Sequence, residues 1–276
     1  MKRIFLSFVL AGVLFSAQAQ VKFPAASPAQ TIKQDFGLGS LEWSYSRPSL
    51  KGRPLYTELA PEGKLWRTGA NGATTLTVSD EIIIAGKTIS AGKYGLLTIP
   101  GRKSWTVILT KQTDVTSNPT AYKESDDVVR LAVTPVTTKS PTETFTIQLA
   151  NITPTTGELQ LCWGNVLVPV PIKTTIDERI MASIDASMQS EKPAYFQAAS
   201  YYLDNNKDLG KAIQWFEKAA AAQPEAYWIH HQHARALAKA GRKKEAKAAA
   251  ERSMQLAKAN NNDDYVRNNQ KLIATL

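Results

Sequence analysis

The sequence predicts a two-part protein: an N-terminal antiparallel β-sandwich followed by a C-terminal α-helical, tetratricopeptide-like repeat region. Three observations predict it. Between Thr31 and Ile172, short runs alternate apolar and polar residues, as in Leu41-Glu42-Trp43-Ser44-Tyr45-Ser46, the period-two pattern of strands with one packed face. Near residue 173 the composition shifts from Thr, Val, Gly and Pro to Ala, Lys, Gln and Asn, which marks a domain boundary. Beyond Pro193, related residues recur at an offset of 34, the period of a helix-turn-helix repeat.

Residues 1–19 read as a secretory signal, with Lys2 and Arg3, an apolar run from Ile4 to Phe15, and Ala17-Gln18-Ala19 before Gln20. That run is shorter than the roughly 20 apolar residues of a spanning helix, and no other stretch approaches that length. The mature chain is therefore expected in the periplasm or outside the cell after cleavage near Ala19, with no transmembrane span. The formal charge is +9, and Lys2 and Arg3 supply two of those charges, leaving +7 on the mature chain. Such a surplus favours anionic partners. Outside the cytoplasm these are envelope polymers, lipid head groups or acidic small molecules, and nucleic acid is not an expected partner.

The β-domain is expected over residues 26–172. Trp105, Val107 and Leu109 alternate with Thr106 and Ile108, and Phe145, Ile147 and Leu149 with Thr146 and Gln148. Further runs at 74–78, 82–84, 94–99, 129–133 and 166–172 bring the set to about nine or ten strands, a number that suits a sandwich. Pro169 and Pro171 remove two N–H groups from one side of their strand, which predicts an edge or a bulge. Lys111 to Asp127 is polar, contains Asn118-Pro119 and lacks alternation, so it reads as a long surface loop. The single cysteine, Cys162, reads as a small packed thiol, because no neighbouring base or cation argues for reactivity.

Residues 173–190 are expected to form a connecting helix. Thr175-Ile176-Asp177-Glu178 has the capping-box pattern, and Ile176, Ile180 and Ile184 recur every four residues. The helix either lies against the β-domain or begins the tail. Over 193–276, the offset of 34 aligns Ala212 with Ala246, Leu203 with Leu237 and Tyr195 with Ile229. Breakers at 204–207, Gln223-Pro224, Gly241 and 260–262 separate the helices, and a last helix is expected from about Asp263. Ala212, Phe216, Ala219 and Pro224 resemble the second helix and closing proline of a tetratricopeptide repeat. Short arrays of this kind hold a protein partner or pack on a neighbouring domain.

The candidate site is an arginine-rich turn cluster. Arg47 continues the stripe of Leu41, Trp43 and Tyr45, Pro48 holds it extended, and Gly52 permits a turn before Arg53. Trp66-Arg67-Thr68-Gly69-Ala70-Asn71-Gly72 then carries the Asn-Gly pair that tolerates positive φ. Tyr45, Arg47, Arg53, Trp66, Arg67 and Asn71 are accordingly the expected ligand-binding residues. Arginine forks pair bidentately with planar oxyanions, and turn N–H groups add donors. The alternative is that the arginines staple strands to loop carbonyls.

Tyr45-Ser-Arg-Pro-Ser-Leu-Lys-Gly-Arg53, Trp66-Arg-Thr-Gly-Ala-Asn71, Ala91-Gly-Lys-Tyr94 running into Leu97-Thr-Ile-Pro100, and Trp105-Thr-Val-Ile108 resemble the domain-of-unknown-function 2911 family of bacterial secreted proteins. The resemblance covers about residues 26–172. It implies a β-rich extracytoplasmic domain, sometimes followed by helical repeats, and brings no activity with it.

No catalytic motif, metal site or cofactor is expected. The three histidines, His230, His231 and His233, share one predicted helix, and no Cys or further His completes a metal set with them. The β-domain has no histidine at all, which excludes a Ser-His-Asp triad there. No phosphate-cradling glycine loop is present. Carboxylate chemistry on envelope glycans remains an alternative, from Glu58, Glu62, Asp80, Glu81, Asp126, Asp127, Glu143 or Glu158, provided two of them face one another. The favoured expectation is a binding protein, with a small anionic or saccharide-like ligand on the β-domain and a protein partner on the tail. A third reading makes the β-domain purely structural and leaves function to the tail.

Overall fold

A computed structural model describes residues 23–116 and 118–276. The secretory signal expected over residues 1–19 lies outside the described residues. The chain divides into two compact units, Met1–Thr175 and Ile176–Leu276, each described by itself. Among the described residues no helix is long and apolar enough to cross a membrane.

Among the described residues the first unit contains ten strands, β1 (Ala29–Phe36), β2 (Gly39–Ser46), β3 (Ala70–Val78), β4 (Ile82–Ile84), β5 (Lys87–Ile89), β6 (Gly92–Ile99), β7 (Trp105–Thr110), β8 (Asp127–Val133), β9 (Val136–Ala150) and β10 (Thr156–Lys173). They form two antiparallel sheets, ordered β1-β2-β3-β6-β7-β8 and β5-β4-β10-β9. Period-two alternation sends Leu41, Trp43 and Tyr45 of β2, Leu76 and Val78 of β3, and Phe145 and Ile147 of β9 into one shared apolar core. Burying these side chains, each worth about 1.5–3 kcal/mol, is what holds the two sheets face to face.

Three expectations for the β-domain change. Instead of uniformly short strands, β9 and β10 run 15 and 18 residues, because register shifts at Cys162/Gly164 and Gly164/Val166 let each strand bend without ending. The strand carrying Pro169 and Pro171 is not an edge strand, since β10 lies between β4 and β9. Its pairing with β9 stops at Leu167↔Val136, and its pairing with β4 is at Lys173↔Ile83. Both prolines therefore fall where no register partner asks for an N–H. Lastly, the 111–127 segment is anchored: Val115 is buried against Leu97 and Ile108, with Tyr122 alongside, and two short 3-10 turns complete the connection.

The second unit contains α1 (Asp177–Met188), α2 (Tyr195–Asp204), α3 (Leu209–Ala222), α4 (Tyr227–Lys239), α5 (Lys243–Ala259) and α6 (Asp263–Ala274). Ile184 of α1 packs with Ala198, Tyr202 and Ala212, so this helix begins the helical unit. The capping box does not form. Ile176 occupies the cap position without a side-chain cap bond, and Asp177 instead accepts from Tyr201 Oη (2.6 Å) and Lys207 Nζ (2.7 Å).

The predicted breakers lie between helices for physical reasons. Asn206, Gly241 and Asn261 all adopt positive φ. The N–H that follows each one reaches back into the last helical turn, Lys207 to Tyr202 O, Arg242 to Leu237 O and Asn262 to Ala257 O. This is the Schellman closure that needs a left-handed residue. Leu203, Leu237 and Ala246 share one buried cluster. The histidines do not converge: His230 Nε2 donates to Pro224 O (2.9 Å), and His231 Nδ1 donates to Asn269 Oδ1 (2.8 Å). Among the described residues, no group of three His, Cys, Asp or Glu side chains is placed to hold a metal.

Candidate functional site

The site grows from the place where the chain leaves the first sheet for the second. After β2, Arg47 N donates to Pro28 O (2.9 Å), Pro48 O accepts from Phe145 N (2.8 Å), and Leu50 N donates to Glu143 O (3.0 Å). The extended conformation that Pro48 imposes on Arg47 suits this crossing. The Arg47 guanidinium fastens it, with Nε donating to Phe145 O (3.0 Å) and Nη2 to Thr146 Oγ1 (2.7 Å).

Tyr45 is buried in the core. Its hydroxyl accepts from Ile147 N (2.9 Å) and donates to Gln30 Oε1 (3.0 Å). Burial pushes the phenol above its ordinary pKa, against the opposing pull of the Ile147 N–H and Arg47. Lys51 and Gly52 then both take positive φ (49° and 74°) in a turn closed by Arg53 N to Leu50 O (3.0 Å). Arg53 folds over that turn, with Nε donating to Leu50 O (3.1 Å) and Nη2 to Ser49 O (2.8 Å).

The second half of the cluster forms a tight excursion before β3. Trp66 exchanges both backbone bonds with Thr98 of β6 (2.7 and 2.9 Å), and Arg67 O accepts from Thr74 N (3.3 Å). Between these anchors, Thr68 and Asn71 adopt positive φ (58° and 59°), and Thr74 Oγ1 donates to Thr68 O (2.6 Å). A β-branched residue in the left-handed region is strained, by about 1–3 kcal/mol. Gly69 is required at its position, because a Cβ there would lie 3.0 Å from Ser46 O and 2.9 Å from Thr74 Oγ1. Asn71 Nδ2 donates to Ser27 O (3.3 Å) and Ser46 Oγ (3.2 Å), tying the excursion to β2.

These anchors leave a cleft of about 460 Å³ whose walls include Arg53, Glu58, Lys64, Trp66, Arg67 and Trp163. The ring of Trp66 stacks on that of Trp163, with centroids 5.4 Å apart and planes 14° from parallel. Both indoles are buried, so they form a wall more than a platform. Arg67 is the unusual member. Its Nε is buried without a hydrogen-bond partner, and burial pushes the guanidinium below its ordinary pKa, although an arginine remains charged at neutral pH. A half-buried cation without an acceptor is costly. With Arg53, Lys64 and Arg67 against Glu58, positive charge predominates on the cleft walls.

Of the six expected binding residues, the cleft unites Arg53, Trp66 and Arg67. Tyr45, Arg47 and Asn71 do not line it, and each is bonded into the surrounding framework. Sequence reasoning named Glu58 only as one of eight candidate carboxylates, not as a binding residue, and did not find Lys64 or Trp163. Glu58 and Lys64 lie on a connector without periodicity, and only the fold brings Trp163 of β10 against Trp66. Among the carboxylates considered for hydrolysis, only Glu58 is on the cleft wall. Glu62 is turned to Arg102, at 3.5 Å.

Residues 27–172 match the model of a family described as protein of unknown function (DUF2911). No curated protein matches the chain, and no solved structure does.

Proposed function

The chain belongs to the DUF2911 family of proteins of unknown function, and for this member we propose an extracytoplasmic binding protein of the cell envelope. Its β-domain holds a small anionic or saccharide-like ligand in the Arg67 cleft, and its tetratricopeptide-like tail binds a protein partner. The observation that carries the ligand reading is the Arg67 guanidinium, half-buried, with a buried Nε that has no acceptor, on the wall of a cleft with Lys64 and Arg53. A ligand oxyanion would supply the missing acceptor through charge-assisted bonds. The strained Thr68 next to it supports the same reading, since strain of this kind persists where the surroundings hold a functional geometry. Hydrolysis by paired carboxylates would need a second acid beside Glu58, and the cleft wall does not supply one.

The tail reading is supported by the 34-residue offset between buried Ala212 and Ala246 and by a groove of about 330 Å³ lined by Tyr195, Phe196 and Trp228. Export rests on the N-terminal signal pattern. To test the ligand site, acidic saccharides are titrated into the protein while Trp fluorescence is followed, since Trp66 and Trp163 border the cleft. Saturable, salt-sensitive quenching that Arg67→Ala abolishes is expected. Equal quenching in the variant would place binding elsewhere.

A further inference from the structure

The cleft wall is not uniformly cationic. Glu58 shares it with Arg53, Lys64 and Arg67, and no ion pair or side-chain hydrogen bond engages its carboxylate among the described residues. Glu58 is exposed, on the single π-type turn Leu55–Leu59 that Ala60 N closes onto Leu55 O (2.8 Å). The neighbouring Arg53 guanidinium is already directed at two backbone carbonyls. A free carboxylate here repels a bare anion and accepts hydrogen bonds from hydroxyl or amine protons.

We propose that Glu58 makes the cleft selective for hydroxylated anions: a compact polyhydroxy acid or sugar phosphate whose oxyanion pairs with Arg67 and Lys64 while a hydroxyl of the same molecule donates to Glu58. This rests on the ligand reading above and names its chemical class. Carboxylate and phosphate share the chemistry, so both are tested. A neutral sugar leaves the guanidinium unpaired, and a bare anion meets Glu58 without a donor to offer. Glu58 is thus a specificity-determining residue, and the opposite signs of its effect on the two kinds of anion distinguish it from a bystander.

The test is calorimetric titration of the full chain, as wild type, Glu58→Gln, Arg67→Gln and Lys64→Met, with sodium gluconate, sodium galacturonate, glucose 6-phosphate, sodium propionate and methyl glucoside. Glu58 is exposed and its carboxylate has no hydrogen-bond or ion-pair partner among the described residues, so Glu58→Gln leaves the fold intact, and Lys64→Met provides a second, exposed change should Arg67→Gln fold poorly. At least one hydroxylated anion should bind wild type more tightly than propionate or methyl glucoside, and should weaken about tenfold or more in Arg67→Gln or Lys64→Met. In Glu58→Gln, propionate should bind roughly two- to fivefold more tightly, while that hydroxylated anion gains nothing or weakens. If Glu58→Gln strengthens all anions alike, or propionate matches the hydroxylated anions in wild type, the selectivity is overturned and the anion site stands. If no probe shows binding that depends on Arg67 or Lys64, both readings fail.

Discussion

Trp66 and Trp163 lie face to face, 5.4 Å between ring centroids and 14° from parallel, and in doing so they join the two sheets beside the cleft. Trp66 reaches the first sheet through its paired backbone bonds to Thr98, and Trp163 belongs to β10 of the second. Phe145 packs edge-on against Trp66 at 5.1 Å. Replacing Trp163 with Ala should therefore cost about 3–5 kcal/mol, read as a lower denaturant midpoint. A loss below about 1 kcal/mol, the scale of a surface change, would contradict the role of this pair.

Arg47 and Arg67 should behave oppositely. Arg47 makes two charge-assisted bonds across the strand crossing, so Arg47→Ala should destabilise by roughly 2–4 kcal/mol, one to two such bonds. Arg67 has no acceptor for its buried Nε, so Arg67→Ala should change stability by less than about 1 kcal/mol. Chemical denaturation of both variants checks this, and equal losses would contradict it.

Cys162 is free and buried, and burial pushes its thiol pKa up. The native protein should react with an aromatic disulfide reagent far more slowly than the unfolded chain, because the thiolate is the nucleophile. Stoichiometric labelling within seconds in native buffer would show the thiol to be accessible.

The helical unit should weaken in mild acid. Burial lowers the folded-state pKa of His231 and of His233 below the ordinary 6.5, against a raising contribution from Asn269 at His231 and from Glu217 at His233. As pH falls, the unfolded chain therefore takes up these protons first. The stability held by the neutral imidazoles is complete above pH 6.5 and is lost as pH drops from there through the lower folded values. The helical circular dichroism signal should melt earlier near pH 5 than near pH 7.5, with a smaller difference in His231→Gln/His233→Gln. An unchanged difference in the double variant would assign the effect to carboxylates.

How much of this the sequence carried differs by element. The strands of the first sheet follow from alternation in Leu41-Trp43-Tyr45 and Trp105-Val107-Leu109, and the helix breaks follow from Asn206, Gly241 and Asn261, where local conformation decides. The paths of β9 and β10 were not legible, because their bulges around Gly164 depend on a third segment, 48–50, hydrogen-bonding to β9. In the site, Arg67 and Trp66 were legible from the turn chemistry around them. Tyr45 of β2 and Arg47, just past its end, follow one core-facing stripe, where a polar tip must find a fixed partner inside the fold, and both did. Lys64 and Trp163, and the place of Glu58 beside Arg67, were beyond sequence reading, since a cleft wall assembled across two sheets leaves no periodic trace.

The measurement closest to the central claim is the thermal unfolding midpoint of the protein, wild type against Arg67→Ala, alone and with acidic saccharides present far above their dissociation constants. A ligand at a hundredfold excess over its dissociation constant stabilises the folded state by about 2.7 kcal/mol. We expect the two proteins to melt within a few degrees of each other without ligand, and only the wild type to rise when ligand is added. If Arg67→Ala melts far below wild type and no ligand moves either protein, Arg67 is architecture, and the cleft is not a binding site.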